Sequence, residues 1–404
     1  MKQLECPFCK KTYALDLFQL FCSDCQEPLL VRSSVPFPKV RNEKSNPLDK
    51  YIDFLPIKKA LHRFSLGEGN TPLLKLNRLM HKFNVPDLYA KNEMMNPTGS
   101  FKDRGTVIAV HNAVSLGIRN IGTVSTGNMA VSTAAYGART GIKTYVLVSE
   151  DTSDEKIFSA ALHGAILVKV KGDYGELFYK SLETGKKNHV YFINSVDPFR
   201  IEGYKVTAFE IWQQLGGQVP THIFVPVSSG GHIIGLMKAF SELKQNKLTN
   251  RLPVFVGIQP KKASPITNAF LNGQSQITRI QKADSFAQSI NNPAPPGGNC
   301  VLKWIKETNG HLLRVSDEEI LKAQKKLASF EGLFGLPAAA APLAGLFKWQ
   351  AQNKLAPHHR IVLILTGAGF KNMAVLDRSQ MPIYQTVLDD LDQMISQIGK
   401  NKEN

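Results

Sequence analysis

From residue 120 onward, short runs of β-branched and other apolar residues alternate with longer amphipathic stretches. The apolar runs are NIGTVS, KTYVLV, AILVKV, VYFI, HIFVPV, PVFVGI, HLLRV and RIVLIL, and segments of helical length such as MAVSTAAYGART and IEGYKVTAFEIWQQLG separate them. Strands that alternate with helices in this way form parallel sheets covered by helices on both faces. There are enough runs for two sheets. The pattern therefore predicts an α/β protein with two doubly wound parallel-sheet domains.

This alternation is absent at both ends of the chain. Residues 35 to 70 are polar and punctuated by prolines, which is typical of an ordered connector. Near the C-terminus, Leu388, Leu391, Met394 and Ile395 recur at helical spacing. This spacing predicts a terminal helix that frays in the final segment GKNKEN.

Four of the five cysteines lie close together near the N-terminus, in the sequences CPFC and CSDC: Cys6, Cys9, Cys22 and Cys25. Two such turns can offer four thiolates to a tetrahedral zinc ion, and a segment this short needs a cross-link of some kind to fold. The spacer is shorter than that of the commonest zinc ribbons. The pattern predicts a small zinc-ribbon-like segment with structural zinc. A ribbon that has lost its metal is the alternative, because a reducing cytoplasm disfavours disulfides.

Composition limits the remaining possibilities. A chain of 404 residues with 43% hydrophobic content can bury a sizeable core and divide into two or three domains. The sequence has no apolar run of membrane-spanning length and no secretory signal pattern, so a cytoplasmic location without a membrane partner is expected. The net charge of +16 is scattered rather than concentrated in blocks. Charge alone therefore does not favour nucleic acid, a membrane surface or anionic metabolites.

Four predicted strands are followed by glycine-containing or polar loops that open helices: STGNMA, NSVDPFR, SSGGHIIG and TGAGFKN. In this class of fold, ligands bind at the carboxyl ends of strands. The SSGG sequence frees several backbone N–H groups at a helix start, where an anionic phosphate binds favourably. The chain lacks GxxxxGK[ST] and a strand-linked GxGxxG, which weakens ATP and NAD as ligands. A small phosphorylated cofactor remains.

The segment NPTGSFKDRG places Lys102 at the start of a predicted helix. Pyridoxal phosphate needs an amine that forms an imine, a phosphate-binding loop and a polar partner for its pyridine nitrogen. Lys102, the loop from Ser228 to His232, and Thr366 are one candidate for each role. Burial near other cations would lower the pKa of Lys102 and make its free amine accessible.

NPTGSFKDRG resembles the lysine motif of the threonine synthases, within the tryptophan-synthase-like, fold type II group of pyridoxal phosphate enzymes. Six further matches occur in the family's order, one before this segment and five after it. They are GEGNTPLL, STGN, NSVDPFRIEG, PVSSGG, EGLFGLPAAAA and LTGAGFKN. The cysteine pairs resemble those of the shorter, archaeal-type members. The resemblance implies a large cofactor-binding domain (35–104 and 206–404), a small mobile α/β domain (105–205) and a zinc-ribbon-like segment (1–34). It also implies a cofactor in the cleft between the domains and a homodimer.

The resemblance implies a role for each matched residue. Lys102 would bind the cofactor covalently and transfer protons, Asn128 would hydrogen-bond its phenolic oxygen, and Thr366 would face its pyridine nitrogen. The residues expected to line the cofactor phosphate are Ser228, Ser229, Gly230, Gly231 and His232. The residues expected to hold the substrate carboxylate are Ser125, Thr126 and Gly127, with Ser100 and Asp103 orienting the loop.

Asn194, Ser195 and Arg200 match the family positions that bind the substrate's own phosphate. An arginine with amide and hydroxyl donors suits a phosphate ester dianion. Arg200 could instead form an ion pair at the helix start with Glu202. Retention of all three residues indicates a small phosphorylated amino acid as the substrate.

The resemblance implies conversion of O-phosphohomoserine and water to L-threonine and phosphate by γ-elimination and β-addition of water. One alternative is a related dehydratase or β-replacement enzyme that acts on a hydroxy amino acid or its phosphate. Another is a basic zinc-ribbon protein that binds nucleic acid, although the ribbon has no aromatic and basic stripe.

Several positions depart from the family pattern, among them Met129, Tyr204 and His232, where threonine, glutamine and asparagine are usual, and the segments GLPAA and FKN. A thioether at Met129 would remove a hydroxyl that helps to direct water, which favours 2-oxobutyrate or a different nucleophile. Compensated drift of the sequence is the other interpretation.

Overall fold

The N-terminal segment of the computed structural model forms a small antiparallel sheet with the strand order β2-β1-β3. Its strands are β1 (Lys2–Glu5), β2 (Thr12–Tyr13) and β3 (Leu30–Ser33). Each CxxC sequence lies in a tight turn, and each turn contains a residue with positive φ, Lys10 at 65° and Gln26 at 58°. The backbone N–H of each of these residues donates to the carbonyl of the first cysteine of its turn. The two turns therefore have the same local shape.

The structure describes residues 2–33, 39–41, 46–172, 174–353, 355–373 and 383–400. The remaining strands are β4 (Leu73–Lys75), β5 (Asp87–Asn92), β6 (Asn120–Val124), β7 (Lys143–Ser149), β8 (Ile166–Val170), β9 (Val190–Phe192), β10 (His222–Pro226), β11 (Val254–Pro260), β12 (His311–Val315) and β13 (Arg360–Leu365). The α-helices are α1 (Pro47–Lys50), α2 (Asn77–Phe83), α3 (Lys102–Ser115), α4 (Asn128–Thr140), α5 (Asp154–Leu162), α6 (Tyr174–Asn188), α7 (Pro198–Gln214), α8 (Gly231–Gln245), α9 (Pro265–Leu271), α10 (Gly298–Glu307), α11 (Asp317–Glu331), α12 (Pro337–Gln352) and α13 (Leu391–Lys400). All eight apolar runs singled out from the sequence form strands, as predicted.

The larger sheet has the strand order β12-β11-β10-β13-β5-β4. Its strands pair in parallel except for β4, which runs antiparallel to β5 at the edge. The prediction of a wholly parallel sheet is therefore wrong at this edge. An edge strand bonds on one side only, and antiparallel edge strands are common on otherwise parallel sheets.

Strand β5 has no counterpart among the predicted strands, although it lies inside the sheet between β13 and β4. Its sequence DLYAKN has too few apolar residues to be recognised as a buried strand. Lys91 is nevertheless fully buried on this strand, because its ammonium donates to the Thr71 carbonyl, a Glu210 carboxylate and the Gln214 side chain at 2.6, 2.7 and 2.9 Å. Partners that are distant in sequence make this burial possible.

The smaller sheet has the order β8-β7-β6-β9, and all its strands pair in parallel. Its strands fall inside residues 105–205 and those of the larger sheet fall outside, while the exact domain limits stay a prediction. The two sheets are joined through helices, because α3 and α7 pack together and α7 packs against α8. A Cβ atom at Gly203 of α7 would lie 2.0 Å from the Arg104 carbonyl oxygen of α3, so glycine allows the close approach of these helices.

The N-terminal sheet contributes to the same core. Leu4, Leu29 and Val31 are buried in one apolar cluster with residues of α3, α7 and α8. A second cluster lies between the larger sheet and α12, whose alanine-rich face packs against β10 and β13.

Residues 372–404 form a separate unit. Within it, Leu388–Asp390 form a short 3-10 turn that leads into α13, so the predicted terminal helix is confirmed. The last four residues of the predicted fraying segment GKNKEN lie outside the described residues. Across the ranges described, no helix combines the length and the apolar character needed to cross a membrane.

Candidate functional site

Lys102 is the first residue of α3, and the loop before it is tied to the end of β13. The Phe101 N–H donates to the Thr366 carbonyl at 3.1 Å, and the Ala368 N–H donates to the Gly99 carbonyl at 3.0 Å. Asp103 accepts hydrogen bonds from the backbone and the hydroxyl of Thr98 at 2.7 and 2.6 Å. Asp103 therefore binds the loop that precedes α3.

The surroundings of Lys102 favour its neutral form. Burial, and secondly the positive charge of Arg200, lower the pKa of Lys102 to about 7. The Lys102 Nζ lies 4.5 Å from the centre of the Phe101 ring. A large fraction of this amine is consequently unprotonated near neutral pH, as a nucleophile or a general base requires.

The loop after β10 contains two glycines that allow a left-handed turn and a close approach to the loop after β9. Gly230 has φ of 99°, and a Cβ atom on Gly231 would lie 2.1 Å from the Ser195 carbonyl oxygen. The Ser229 hydroxyl accepts a hydrogen bond from Asn292 at 3.0 Å. The first N–H groups of α8 have no partners within the helix, so they can bind an anion. The contact between Gly231 and Ser195 also brings together loops from the two sheets.

His232 follows this loop and is buried. Burial, with added repulsion from Lys102, lowers the pKa of His232 well below its ordinary value, so the imidazole is neutral. Its ring stacks on Phe101 with centroids 3.9 Å apart. Neither ring nitrogen has a hydrogen-bond partner within the described part of the chain.

Asn128 and Thr366 lie near each other at the ends of β6 and β13. Asn128 is the first residue of α4, and its Oδ1 accepts a hydrogen bond from Lys371 Nζ at 2.8 Å. The side-chain amide nitrogen of Asn128 lies 3.2 Å from the position that a Cβ on Gly367 would occupy. The Asn128 Nδ2 group donates to no group among the described residues, so it is available to another partner. Lys371 was not among the site residues predicted from the sequence.

The loop between β6 and α4 also contains Ser125, Thr126 and Gly127. The Ser125 hydroxyl accepts a hydrogen bond from the Gly127 N–H at 3.2 Å. Ser125 and Thr126 are half-buried and Gly127 is exposed. Ser100, by contrast, is fully buried, and its hydroxyl has no partner in the part of the chain that the structure describes.

Asn194, Ser195 and Arg200 lie between β9 and the first turn of α7. The Asp197 side chain caps this helix by accepting from the N–H groups of Phe199 and Arg200, both at 3.0 Å. Asn194 and Arg200 are fully buried, yet both polar atoms of the Asn194 amide and the Arg200 Nη1 have no partner among the described residues. Unpaired buried donors are costly, so this set is poised to bind an anion.

The alternative that Arg200 pairs with Glu202 is wrong. Glu202 binds Lys205 at 2.7 Å and also forms an ion pair with Lys238. Lys205 lies on α7 and Lys238 lies on the neighbouring helix α8, so Glu202 is bound between these two helices. Met129 contacts one of the three residues predicted to bind the substrate phosphate, because its Sδ lies 3.6 Å from the Ser195 hydroxyl.

Arg104 belongs to a buried charge network that the sequence analysis did not identify. Its guanidinium donates to Glu93 at 2.6 and 2.7 Å, to Glu210 at 2.8 and 2.7 Å and to the Thr71 hydroxyl at 2.9 Å. Lys91 completes the network through Glu210. Because its members come from β5, α3, α7 and the loop before β4, it holds the lysine helix against the larger sheet.

The four N-terminal cysteines converge as predicted. All four sulfur atoms lie within 4.8 Å of one another. The Cys9 and Cys22 sulfurs are 3.6 Å apart, and the Tyr13 hydroxyl donates to Cys22 Sγ at 3.2 Å. Tetrahedral zinc with Zn–S bonds of about 2.3 Å needs sulfurs about 3.8 Å apart, so the cluster fits such an ion.

A half-buried lysine of lowered pKa and a glycine-rich loop at the start of α8 thus lie close to each other. A family model described as "Pyridoxal-phosphate dependent enzyme" matches residues 64–367. The chain belongs to this family of pyridoxal-phosphate dependent enzymes.

Within the family, the chain is similar to threonine synthases. It is 37% identical to threonine synthase from Methanocaldococcus jannaschii over 94% of this chain and 95% of the relative. It is 35% identical to threonine synthase from Methanosarcina acetivorans over 96% of each chain. The predicted relationship to the threonine synthases is thereby confirmed.

Solved structures of the same fold include the processed form of threonine deaminase isoform 2 from Solanum lycopersicum. It has 20% identity and a TM-score of 0.66 over 91% of this chain and 94% of that chain. Serine racemase from Dictyostelium discoideum has 23% identity and a TM-score of 0.62 over 76% and 94% of the two chains. Both likenesses concern the fold alone.

Proposed function

We propose that the chain is a threonine synthase that converts O-phosphohomoserine and water to L-threonine and phosphate. The observation that carries the proposal is that Arg200 Nη1 and the Asn194 amide are buried without a partner among the described residues, and that Arg200 binds the carbonyl of Lys102, a lysine with its pKa lowered to about 7. Similarity to threonine synthases over nearly the whole chain supports it.

The residues of the site fit pyridoxal phosphate. Lys102 supplies the amine, and the glycine loop from Ser228 to His232 supplies N–H donors for the cofactor phosphate. The amide N–H of Asn128, which donates to no group among the described residues, suits the phenolic oxygen. The Thr366 hydroxyl suits the pyridine nitrogen and, unlike a carboxylate, does not hold that nitrogen protonated. When bound, the cofactor supplies an electron sink that makes proton removal from carbon feasible.

Different groups of the protein then have different roles in the reaction. The neutral Lys102 Nζ takes and returns protons at the α- and β-carbons of the substrate. Asn194, Ser195 and Arg200 bind the substrate phosphate and stabilise its negative charge as it leaves. Ser125, Thr126 and Gly127 hold the carboxylate, with Ser100 nearby. The small domain, residues 105–205, closes over the site and excludes water until the last stage of the reaction.

A joint product assay tests this function. The purified protein is incubated with pyridoxal phosphate and O-phosphohomoserine, and threonine, 2-oxobutyrate and phosphate are measured together. We expect threonine and phosphate to form in equal amounts. An Arg200→Ala variant should lower the rate by about 10²-fold or more, because the leaving phosphate loses its cation. Release of phosphate without threonine would contradict the proposal.

One contact favours a second candidate function. The Met129 thioether lies 3.6 Å from the Ser195 hydroxyl, and threonine is usual at this position in the family pattern. A drier site would favour a dehydratase-like reaction that ends in 2-oxobutyrate. The same assay separates the two functions. If ketoacid dominates in the wild type, Met129→Thr should shift the products toward threonine.

The rate of cofactor uptake is expected to depend on pH. Because only the neutral amine attacks an aldehyde, covalent binding of pyridoxal phosphate to the cofactor-free protein should accelerate as pH rises through about 7 and level off above it. Stopped-flow absorbance at several pH values measures this rate. A rate that keeps rising toward pH 10 would show an ordinary exposed lysine.

We also infer that the four cysteines bind structural zinc. Metal analysis of the purified protein should give about one zinc per chain. Cys22→Ser should reduce the zinc content and lower the melting temperature, whereas Cys300→Ser, outside the cluster, should leave the zinc content unchanged. A stable protein without metal would refute the zinc site.

A homodimeric assembly, a cytoplasmic location and the absence of a nucleic-acid partner stay predictions from the sequence.

A further inference from the structure

Tyr204 lies one helical turn after Arg200 on α7, so both side chains lie on the same face of the helix. Tyr204 is buried, with 1% of its surface exposed. Its ring packs against Phe101, with centroids 5.1 Å apart, and against His232 at 5.5 Å. These two residues adjoin Lys102 and the phosphate-binding loop. The tyrosine is therefore in contact with both halves of the cofactor site.

Two glycines restrict the position of the Tyr204 ring further. A Cβ atom on Gly105 of α3 would lie 2.6 Å from Tyr204 Cε1, and a Cβ atom on Gly235 of α8 would lie 2.8 Å from Tyr204 Cβ. Both helices approach the tyrosine as closely as glycine permits. The hydroxyl of Tyr204 therefore has little freedom to move.

The Tyr204 hydroxyl accepts a hydrogen bond from Arg200 Nε at 3.0 Å. A second bond runs from Arg200 Nη2 to the Lys102 carbonyl at 3.3 Å. A guanidinium is planar, so two bonds along its Nε and Nη2 edge define the orientation of the whole group. The remaining nitrogen, Nη1, is the one without a partner among the residues described.

We propose that Tyr204 is a positioning residue: its hydroxyl holds Arg200 Nε so that Nη1 is presented to the phosphate group of the substrate. The inference rests on the proposed function. With Nε already bonded, the arginine meets the phosphate through Nη1. Without the hydroxyl, Nε is left unpaired in a buried site and the guanidinium is free to rotate.

Tyr204→Phe removes the hydroxyl and keeps the ring. Tyr51→Phe is the matched control, because Tyr51 is equally buried and its hydroxyl binds Gln213 at the far end of α7. The probe is inorganic phosphate, titrated into the holoenzyme by calorimetry. We expect Tyr204→Phe to weaken phosphate binding roughly five- to tenfold. KM for O-phosphohomoserine should rise by more than kcat falls, and the control should change both by less than about twofold.

A double-mutant cycle separates this role from a structural one. Lysine has no Nε–H donor, so Tyr204→Phe should weaken phosphate binding no further in an Arg200→Lys background. Melting temperatures verify that each variant folds. If Arg200→Lys does not fold, the comparison of Tyr204→Phe with Tyr51→Phe decides alone.

Three results would overturn the inference: unchanged phosphate binding in Tyr204→Phe, the same weakening in the arginine and lysine backgrounds, or no phosphate binding by the wild type. Failure of the proposed function is a distinct result. If phosphate binds and depends on Tyr204 and Arg200 but no threonine forms, the positioning role stands and the proposed reaction falls.

Discussion

Replacement of Lys102 by alanine is expected to abolish the visible absorption of bound pyridoxal phosphate and to lower the rate of threonine formation by about 10³-fold or more. The reason is that the same amine holds the cofactor covalently and moves the protons. Alanine is a good helix former, and Lys102 is only half-buried, so the fold should remain. Absorbance spectra, the threonine assay and circular dichroism measure the three quantities.

The matched control is Lys82→Ala, an exposed lysine on α2. This variant should keep the wild-type spectrum and rate. If Lys102→Ala retained the visible absorption, another lysine would have to bind the cofactor, and the assignment of the site would be wrong. Loss of absorption together with loss of secondary structure would indicate a folding defect instead.

Replacement of Arg104 by methionine is expected to lower the free energy of unfolding by roughly 3–5 kcal/mol. Arg104 is buried among the carboxylates of Glu93 and Glu210, at distances of 2.6 and 2.7 Å. Methionine fills much of the volume of the arginine but carries no charge. Within the network, Lys91 is then the one cation left to balance the two buried carboxylates of Glu93 and Glu210. Urea denaturation measures the change. The control Lys322→Met breaks an exposed pair with Glu318 and should leave the free energy of unfolding almost unchanged.

The effect of Arg104→Met should also depend on pH. Burial by itself raises the pKa of Glu210, but the charges of Arg104 and Lys91 outweigh it and lower that pKa from 4.5 to about 2. A carboxyl group whose pKa is lowered by folding stabilises the fold at pH values above its ordinary pKa of 4.5. This contribution is lost as the pH falls toward the lowered pKa of about 2. The stability difference between wild type and variant should therefore shrink below about pH 4. A difference independent of pH would mean that Arg104 acts through packing alone.

Some of the fold can be predicted because it depends on local pattern. The eight apolar runs are recognisable as strands because each contains several β-branched or other apolar residues within a few positions. Likewise, Lys102, Ser229 and Gly230 occur at strand-to-helix junctions that sequence motifs mark directly. In contrast, β5 was missed, because Lys91 is polar and its burial depends on Glu210, more than a hundred residues away.

The sequence by itself determined the α/β class, the cysteine turns, the lysine motif and the family of enzymes, because these depend on residue type and short spacing. Only the tertiary structure decided what the charged and polar groups bind. Glu202 binds Lys205 and Lys238 instead of Arg200, and Lys371 binds Asn128. Arg200 Nη1 and the side-chain amide of Asn194 have no partners among the residues that the structure describes. The physical reason is that hydrogen bonds and ion pairs form between atoms that the fold brings within about 3 Å of each other, whatever their separation along the chain.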